Sequence, residues 1–235
     1  ETFNVAIPGQ VFTLTTKIVN PSPLNIELVQ STLHTPENWG VRNLRQNLAV
    51  LGHNGETTAH FEVRVPEDAD YSKPYWSRQS EYYDDVYIVD QPKFAHLPFP
   101  SPEVFGVLTY RIEGIEFKMT QPAQTVRMIQ PLGERRRLLA VAPALSLTVS
   151  PPIGVIPVTT EQQITVQVEV LNNVKGIAKG KIHLKTPKSW VVTPNEQPLH
   201  FTHEGEIQTF PFQVSIPMNL EVGVNHTVQA MAEYN

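Results

Sequence analysis

The side chains that could bind a metal or transfer protons are eight histidines and twenty-three aspartates and glutamates in a chain of 235 residues. His200 and His203 have the spacing of a short metal-binding pair, but two ligands without a third do not define a zinc site. A surface turn is therefore the preferred interpretation, and an independent metalloenzyme is an alternative that needs three ligands to converge in the fold.

Other catalytic motifs are missing from the sequence. The chain has no cysteine, which excludes a disulfide framework, a thiolate metal site and a cysteine nucleophile. It contains neither a Gly-x-Ser-x-Gly nucleophile motif nor a Gly-rich phosphate loop. We therefore predict no catalytic residue, no metal site and no cofactor in this chain.

One segment, residues 67–102, combines aromatic and acidic side chains with few strand signals. Loops of this length are uncommon unless they are functional. Because Tyr and Trp are enriched at interfaces, we expect the segment to pack or dock against another domain, and sugar binding is the alternative. Its adjacent aspartates could be half of a paired-carboxylate site, although a solvated acidic loop is the preferred interpretation. The candidate binding residues are Tyr71, Tyr75, Trp76, Arg78, Tyr82, Tyr83, Asp84 and Asp85.

Charge and hydropathy exclude two classes of partner. The formal net charge of −5 lacks the basic field that nucleic acid requires, and the one basic run, residues 135–137, is only three arginines long. No apolar stretch approaches the roughly 20 residues of a membrane-spanning helix. We therefore expect no nucleic-acid partner and no membrane span.

The elements that must position these residues are short strands. Residues 164–170 alternate strictly between apolar and polar side chains, as in a strand with one buried and one wet face. Similar runs end at turn residues such as Pro and Asn-Gly, and no amphipathic helix of ten or more residues is apparent. The pattern predicts an all-β fold built from immunoglobulin-like sandwiches.

An internal repeat indicates two such sandwiches in tandem. Each copy has a strand ending in Asn, a Thr-Pro-x-x-Trp motif, a Gly-Glu turn and a Phe-x-Val strand closed by Pro. The spacing from Trp39 to Pro66 equals the spacing from Trp190 to Pro217. We predict one domain over 1–141, carrying the insertion at about 67–102, and a second over 142–235 that is truncated or simpler at its C-terminus. Since the chain opens at Glu1 and not at Met, we expect a mature or excised fragment of a longer protein.

Parts of the chain resemble known bacterial families. Residues 66–69 and 73–78, the strand around Tyr110 and residues 133–136 resemble the β-rich C-terminal region of large bacterial PIG-L/LmbE-like deacetylases. The Pro-x-x-Trp-x-Val, Gly-Glu and Phe-x-Val-x-(Val/Ile)-Pro series is also similar to the β-sandwich domain associated with alpha-galactosidases. Together these similarities cover most of the chain.

The resemblance implies a non-catalytic accessory module. In that deacetylase family, a zinc site built from a His-Pro-Asp-Asp-Glu-type motif hydrolyses N-acetyl groups on sugars, and this chain contains no His-Pro dipeptide. The expected partner is therefore the catalytic domain of the same parent polypeptide, and the alternative is a carbohydrate-binding module that uses the aromatic insertion. We also expect the parent protein to be exported to the periplasm or the cell exterior.

Overall fold

The computed structural model describes residues 5–78, 85–157, 159–218 and 220–234. Within these ranges the chain forms eighteen β-strands and one short 3-10 turn, Pro92–Phe94, with no α-helix. The prediction of an all-β sandwich fold is confirmed. No helix in the described ranges has the length and apolar character needed to cross a bilayer.

The chain divides into two compact units, Glu1–Ala142 and Pro143–Asn235. That each unit is an immunoglobulin-like domain in its own right stays a prediction. Within the described part of the first unit the strands are β1 (Val11–Val19), β2 (Ile26–His34), β3 (Gly40–Gln46), β4 (Val50–Leu51), β5 (Glu56–Arg64), β6 (Trp76–Ser77), β7 (Ile88–Val89), β8 (Phe105–Ile112), β9 (Ile115–Pro122), β10 (Gln124–Ile129) and β11 (Gly133–Leu138). Those of the second are β12 (Leu145–Ser150), β13 (Gln162–Asn172), β14 (Ala178–Lys185), β15 (Val191–Thr193), β16 (Glu196–Phe201), β17 (Ile207–Ile216) and β18 (Gln229–Tyr234).

The described residues of the first unit form two main antiparallel sheets and two hairpins. One sheet has the order β1-β5-β3 and the other has the order β4-β2-β8-β9. Strands β6 and β7 form one hairpin, and β10 and β11 form the other. Alternation along β1 turns Phe12 and Leu14 inward, where they pack with Trp39 and Val63 in one buried cluster. Leu108 of β8 belongs to another buried cluster, with Leu28 and Leu51.

The second unit is built from two sheets alone within its described residues. One has the order β12-β13-β17-β15 and the other the order β16-β14-β18. The strict alternation predicted for β13 buries Val166, Val168 and Val170, and the same period in β17 buries Phe212 and Val214. These inward side chains explain why the sequence alternates as it does.

The repeat occupies equivalent positions in the two units. The order β1-β5-β3 corresponds to β13-β17-β15, and β4-β2-β8 corresponds to β16-β14-β18. Trp39 and Trp190 are both buried, with 9% and 8% of their surface exposed. The amide of Trp39 donates to the carbonyl of Pro36 at 3.1 Å, and that of Trp190 donates to Pro187 at 3.0 Å. The Thr-Pro-x-x-Trp motif is therefore one turn, used twice to place an indole in a core.

The asparagine that begins each repeat also has a repeated role. Asn20 and Asn172 are both fully buried. Their side-chain amides donate to the carbonyls of Leu51 and His203, at 2.8 Å in each case. Each side-chain oxygen accepts the backbone N–H two residues ahead, at 3.1 Å in the first unit and 3.0 Å in the second. The buried asparagine side chain stabilises the turn because it forms hydrogen bonds with backbone N–H and C=O groups, which an apolar side chain could not do.

Candidate functional site

The predicted insertion folds partly as a small hairpin. Trp76 of β6 pairs with Val89 of β7 in antiparallel register. The backbone amides of Asp90 and Gln91 both donate to the carbonyl of Tyr75, at 2.9 and 3.1 Å. These bonds join the residues that follow β7 to the residue that precedes β6. These backbone bonds fix the position of the aromatic side chains at this point of the chain.

The hairpin brings two rings and a guanidinium together. Trp76 and Tyr87 meet edge to face, with ring centroids 4.6 Å apart and an interplanar angle of 90°. The guanidinium carbon of Arg78 lies 5.1 Å from the centroid of the Tyr87 ring, within cation–π range. Trp76 is 37% exposed and Tyr87 is 53% exposed. The cluster is therefore ordered by its own contacts while remaining open to solvent.

Aliphatic side chains extend this exposed cluster. Ile88 and Val89 are neighbours on β7 and point to opposite faces, yet both are exposed, as is Val86 just before them. Trp76, Tyr87 and Val89 share one face of the hairpin, and Val86 and Ile88 lie on the other, so both faces present apolar side chains to solvent. Clustered exposed apolar side chains mark an interaction site more often than isolated ones do. We call the following set the hairpin surface: Trp76, Val86, Tyr87, Ile88 and Val89.

Tyr75 and Tyr71, two other predicted site residues, do not make the contacts of this cluster. The Tyr75 hydroxyl donates to the carbonyl of Leu97 at 2.9 Å, and its ring lies 6.5 Å from that of Phe94. Tyr75 thus ties the hairpin to the loop that follows it. The side chain of Tyr71 is exposed, and so is that of Asp85. The remaining predicted residues, Tyr82, Tyr83 and Asp84, lie outside the described residues.

The sequence interpretation missed an acidic cavity beside the buried indole of the first unit. Glu37, Asp68, Asp70 and Glu103 line a cavity of about 220 Å³ next to Trp39. Partial burial, and secondarily the charge of Asp70, raises the pKa of the Glu103 carboxyl above its ordinary value. Such a cavity attracts cationic or hydroxyl donors. The Thr-Pro-x-x-Trp motif was its only sequence signal, because the four carboxylates come from three separated stretches of chain.

Of the predicted histidine pair, His200 lies in β16 and His203 lies in the turn between β16 and β17. His200 is exposed opposite Lys179, and a ring nitrogen of His203 lies 3.0 Å from the carbonyl oxygen of Glu204. The turn is organised by Glu206, whose carboxylate accepts the Thr202 amide at 2.7 Å. In the ranges that the structure describes, no three His, Asp or Glu side chains are grouped so that they could hold a metal ion.

Comparison with known proteins adds little to this geometry. No family model matches the chain, and no curated protein matches it. Among solved structures, the chain is similar to the secreted serine protease VesC from Vibrio cholerae, with 10% sequence identity and a TM-score of 0.28. The alignment covers 98% of this chain and 48% of that one, so the chain spans about half the length of this neighbour. A similarity this low carries no argument about activity.

Proposed function

We propose that this chain is a non-catalytic interaction module of a larger bacterial protein and that the hairpin surface docks against another domain. The observation that carries the proposal is the exposure of Trp76, Tyr87 and the aliphatic residues beside them on an ordered hairpin. Aromatic anchors of this kind dominate the free energy of binding at interfaces. Because their positions are already fixed by backbone hydrogen bonds, docking would not have to order them.

The partner we propose is the catalytic domain of the same polypeptide. The support for this choice is the resemblance of residues 66–69 and 73–78 to the C-terminal region of PIG-L/LmbE-like deacetylases. Residues 73–78 contain β6, so the resembling segment includes Trp76 of the hairpin surface. Deacetylation of N-acetyl sugars would then belong to the parent protein, which we also propose to be exported.

Binding between this chain and the proposed catalytic domain can be measured with each produced as a separate protein. The domain encoded upstream in the same reading frame is produced separately and titrated with this chain by calorimetry. We expect Trp76→Ala to weaken binding at least tenfold, since an interfacial Trp is commonly worth about 2 kcal/mol or more. The matched control is Leu132→Ala, an exposed apolar residue on the β10–β11 turn, which should leave the affinity unchanged. Equal effects of the two variants, or no binding of the unmodified chain, would contradict the proposal.

Carbohydrate binding is the second candidate. It is favoured by the exposed rings of Trp76 and Tyr87 standing next to the guanidinium of Arg78, which could donate to sugar hydroxyls. Against it, perpendicular rings cannot both stack flat on successive sugar rings. A glycan array separates the two candidates. Binding that is lost in Trp76→Ala would support sugar recognition, whereas no signal across all polysaccharides would retire it.

A further inference from the structure

Strand β9 is an unprotected sheet edge. It is the outermost strand of the order β4-β2-β8-β9, and among the described residues it pairs with β8 alone. Seven of its eight residues are exposed, so neither face of the strand is covered along most of its length. Its pairing with β8 runs without a bulge from Ile112–Ile115 to Phe105–Pro122. Natural edge strands usually carry a bulge, an early proline or several lysines, and β9 has only one lysine.

The turn that begins β9 determines which of its backbone groups point outward. Glu113 and Gly114 have φ values of 49° and 82°, as a two-residue type I′ turn requires. Ile112 and Ile115, which flank this turn, therefore exchange hydrogen bonds, and so does every second pair along the hairpin. The intervening residues of β9 direct their N–H and C=O groups away from β8. These residues are Glu116, Lys118 and Thr120.

The side chains of β9 are sorted by face. Ile115, Phe117 and Met119 alternate with Glu116 and Lys118, so one face of the strand is apolar and the other carries one charge of each sign. Exposure of the apolar residues is 63%, 43% and 51%, respectively. Solvent is therefore in contact with an apolar row that lies beside a row of outward-pointing backbone donors and acceptors.

We propose that β9 pairs antiparallel with β9 of a second copy of this chain, about a twofold axis at Phe117. In this register Glu116 of each copy lies opposite Lys118 of the other. The two resulting backbone hydrogen-bonded pairs lie on either side of the axis. Ile115 lies opposite Met119 on the other face. The alternating sequence of residues 115–119 is therefore self-complementary, since it forms both the cross-strand ion pairs and the apolar contacts when it faces its own copy.

Neighbouring registers are disfavoured by charge. A twofold axis at Lys118 would place two ammonium groups opposite each other, and an axis at Glu116 would place two carboxylates opposite each other. Glu116 already forms an exposed ion pair with Arg111 at 3.2 Å through one carboxylate oxygen, which leaves the other free for Lys118 of the second copy. Charge complementarity therefore selects the axis at Phe117.

The same register extends an aromatic ladder across the interface. Phe117 stacks on Tyr110 of β8, with centroids 5.6 Å apart and an interplanar angle of 22°. At the axis, Phe117 would face its own copy as a non-hydrogen-bonded pair, the arrangement in which opposing side chains are closest. The two four-stranded sheets would then form one continuous sheet of eight strands.

Single cysteines test this register directly, because the natural chain has none. Phe117→Cys places two thiols opposite each other at the axis, so mild oxidation should yield a covalent dimer. Met119→Cys is the matched control on the same strand and face, and it should not self-link, because each Met119 lies opposite Ile115. A mixture of Ile115→Cys and Met119→Cys chains should link to each other. Equal linking of Phe117→Cys and Met119→Cys would overturn the proposed register.

Charge exchange provides the second test, measured by sedimentation equilibrium. Lys118→Glu and Glu116→Lys should each weaken self-association at least tenfold, equivalent to about 1.4 kcal/mol. An equimolar mixture of the two variants should associate as well as the unmodified chain, because every opposing pair is again of opposite sign. Circular dichroism checks that these exposed substitutions leave the fold intact. An unmodified chain that stays monomeric at all concentrations, or a mixture that fails to associate, would overturn the proposal.

Discussion

Replacing the buried asparagine of each repeat should show how much of the fold depends on one turn. Asn20 is fully buried and makes five side-chain hydrogen bonds. Its amide donates to the carbonyls of Leu24, Leu51 and Gly52, at 2.8, 2.8 and 3.1 Å. Its oxygen accepts the amide and hydroxyl of Ser22, at 3.1 and 2.9 Å. Asn20→Ala would remove all five bonds.

The expected cost follows from the groups left without a partner. A buried polar group that loses its hydrogen bond costs about 1–3 kcal/mol, while groups near the surface can bond to water instead. Only the bond to Leu51 is buried on both sides, and the others are partly exposed. We therefore expect Asn20→Ala to lower the free energy of unfolding of the first unit by about 3 kcal/mol. Asn172→Ala removes three bonds in the second unit, two of them buried, and should also cost about 3 kcal/mol.

Urea unfolding followed by tryptophan fluorescence measures both costs. A loss of about 3 kcal/mol moves the midpoint by about 1–3 M, because the slope in urea is about 1–3 kcal/mol/M for small domains. The control is Asn43→Ala on an exposed strand, which should change the stability by no more than about 0.5 kcal/mol. If Asn20→Ala and Asn172→Ala behave like this control, the turn is not the structural basis of the repeat.

Two further changes test the second unit. Hydrogen bonds from the Thr202 amide, the Gln208 side chain, the Thr202 hydroxyl and the His203 amide, in decreasing order of effect, lower the pKa of Glu206 from 4.5 to about 2. The stability that the ionised Glu206 carboxylate contributes is therefore complete above pH 4.5 and is lost as the pH falls towards 2. Glu206→Gln should make the free energy of unfolding less dependent on pH over that range. An unchanged pH dependence would contradict this. A Cβ on Gly180 would overlap the carbonyl of Glu233 in β18. Gly180→Ala should therefore displace β18 and raise the hydrogen exchange of its amides, and unaltered protection would refute the overlap.

Strict alternation made some strands predictable, and its interruption hid others. The apolar period runs through most of β1 and β17 and through residues 164–170 of β13, and these strands form close to where the sequence places them. β2 and β3 gave no such signal, because each pairs with its neighbour through a register shift, at Leu28/Gln30 and at Asn43/Arg45. A bulge adds one residue and reverses the faces beyond it, so the apolar period fails although the strand continues.

Local pattern also predicted less of the site than of the fold. Trp76 and Arg78 were expected to act at a surface, but their partner Tyr87 comes from the other strand of a hairpin whose pairing has no sequence signature. The acidic cavity joins residues near positions 37, 68 and 103, which only the packing of the first unit brings together. Such sites depend on long-range contacts that a window of ten or twenty residues cannot contain.

Three strands of the first unit, β6, β7 and β9, are additions to a frame that both units share among the described residues. Six strands are shared, and in the second unit they bury Phe201, Phe212 and Val214 completely without any counterpart to β6, β7 or β9 among the described residues. The shared frame therefore does not need these strands to complete a core. In the first unit, however, they carry exposed apolar side chains, on the hairpin surface and along β9. Both proposed interfaces therefore lie on strands added to the shared frame.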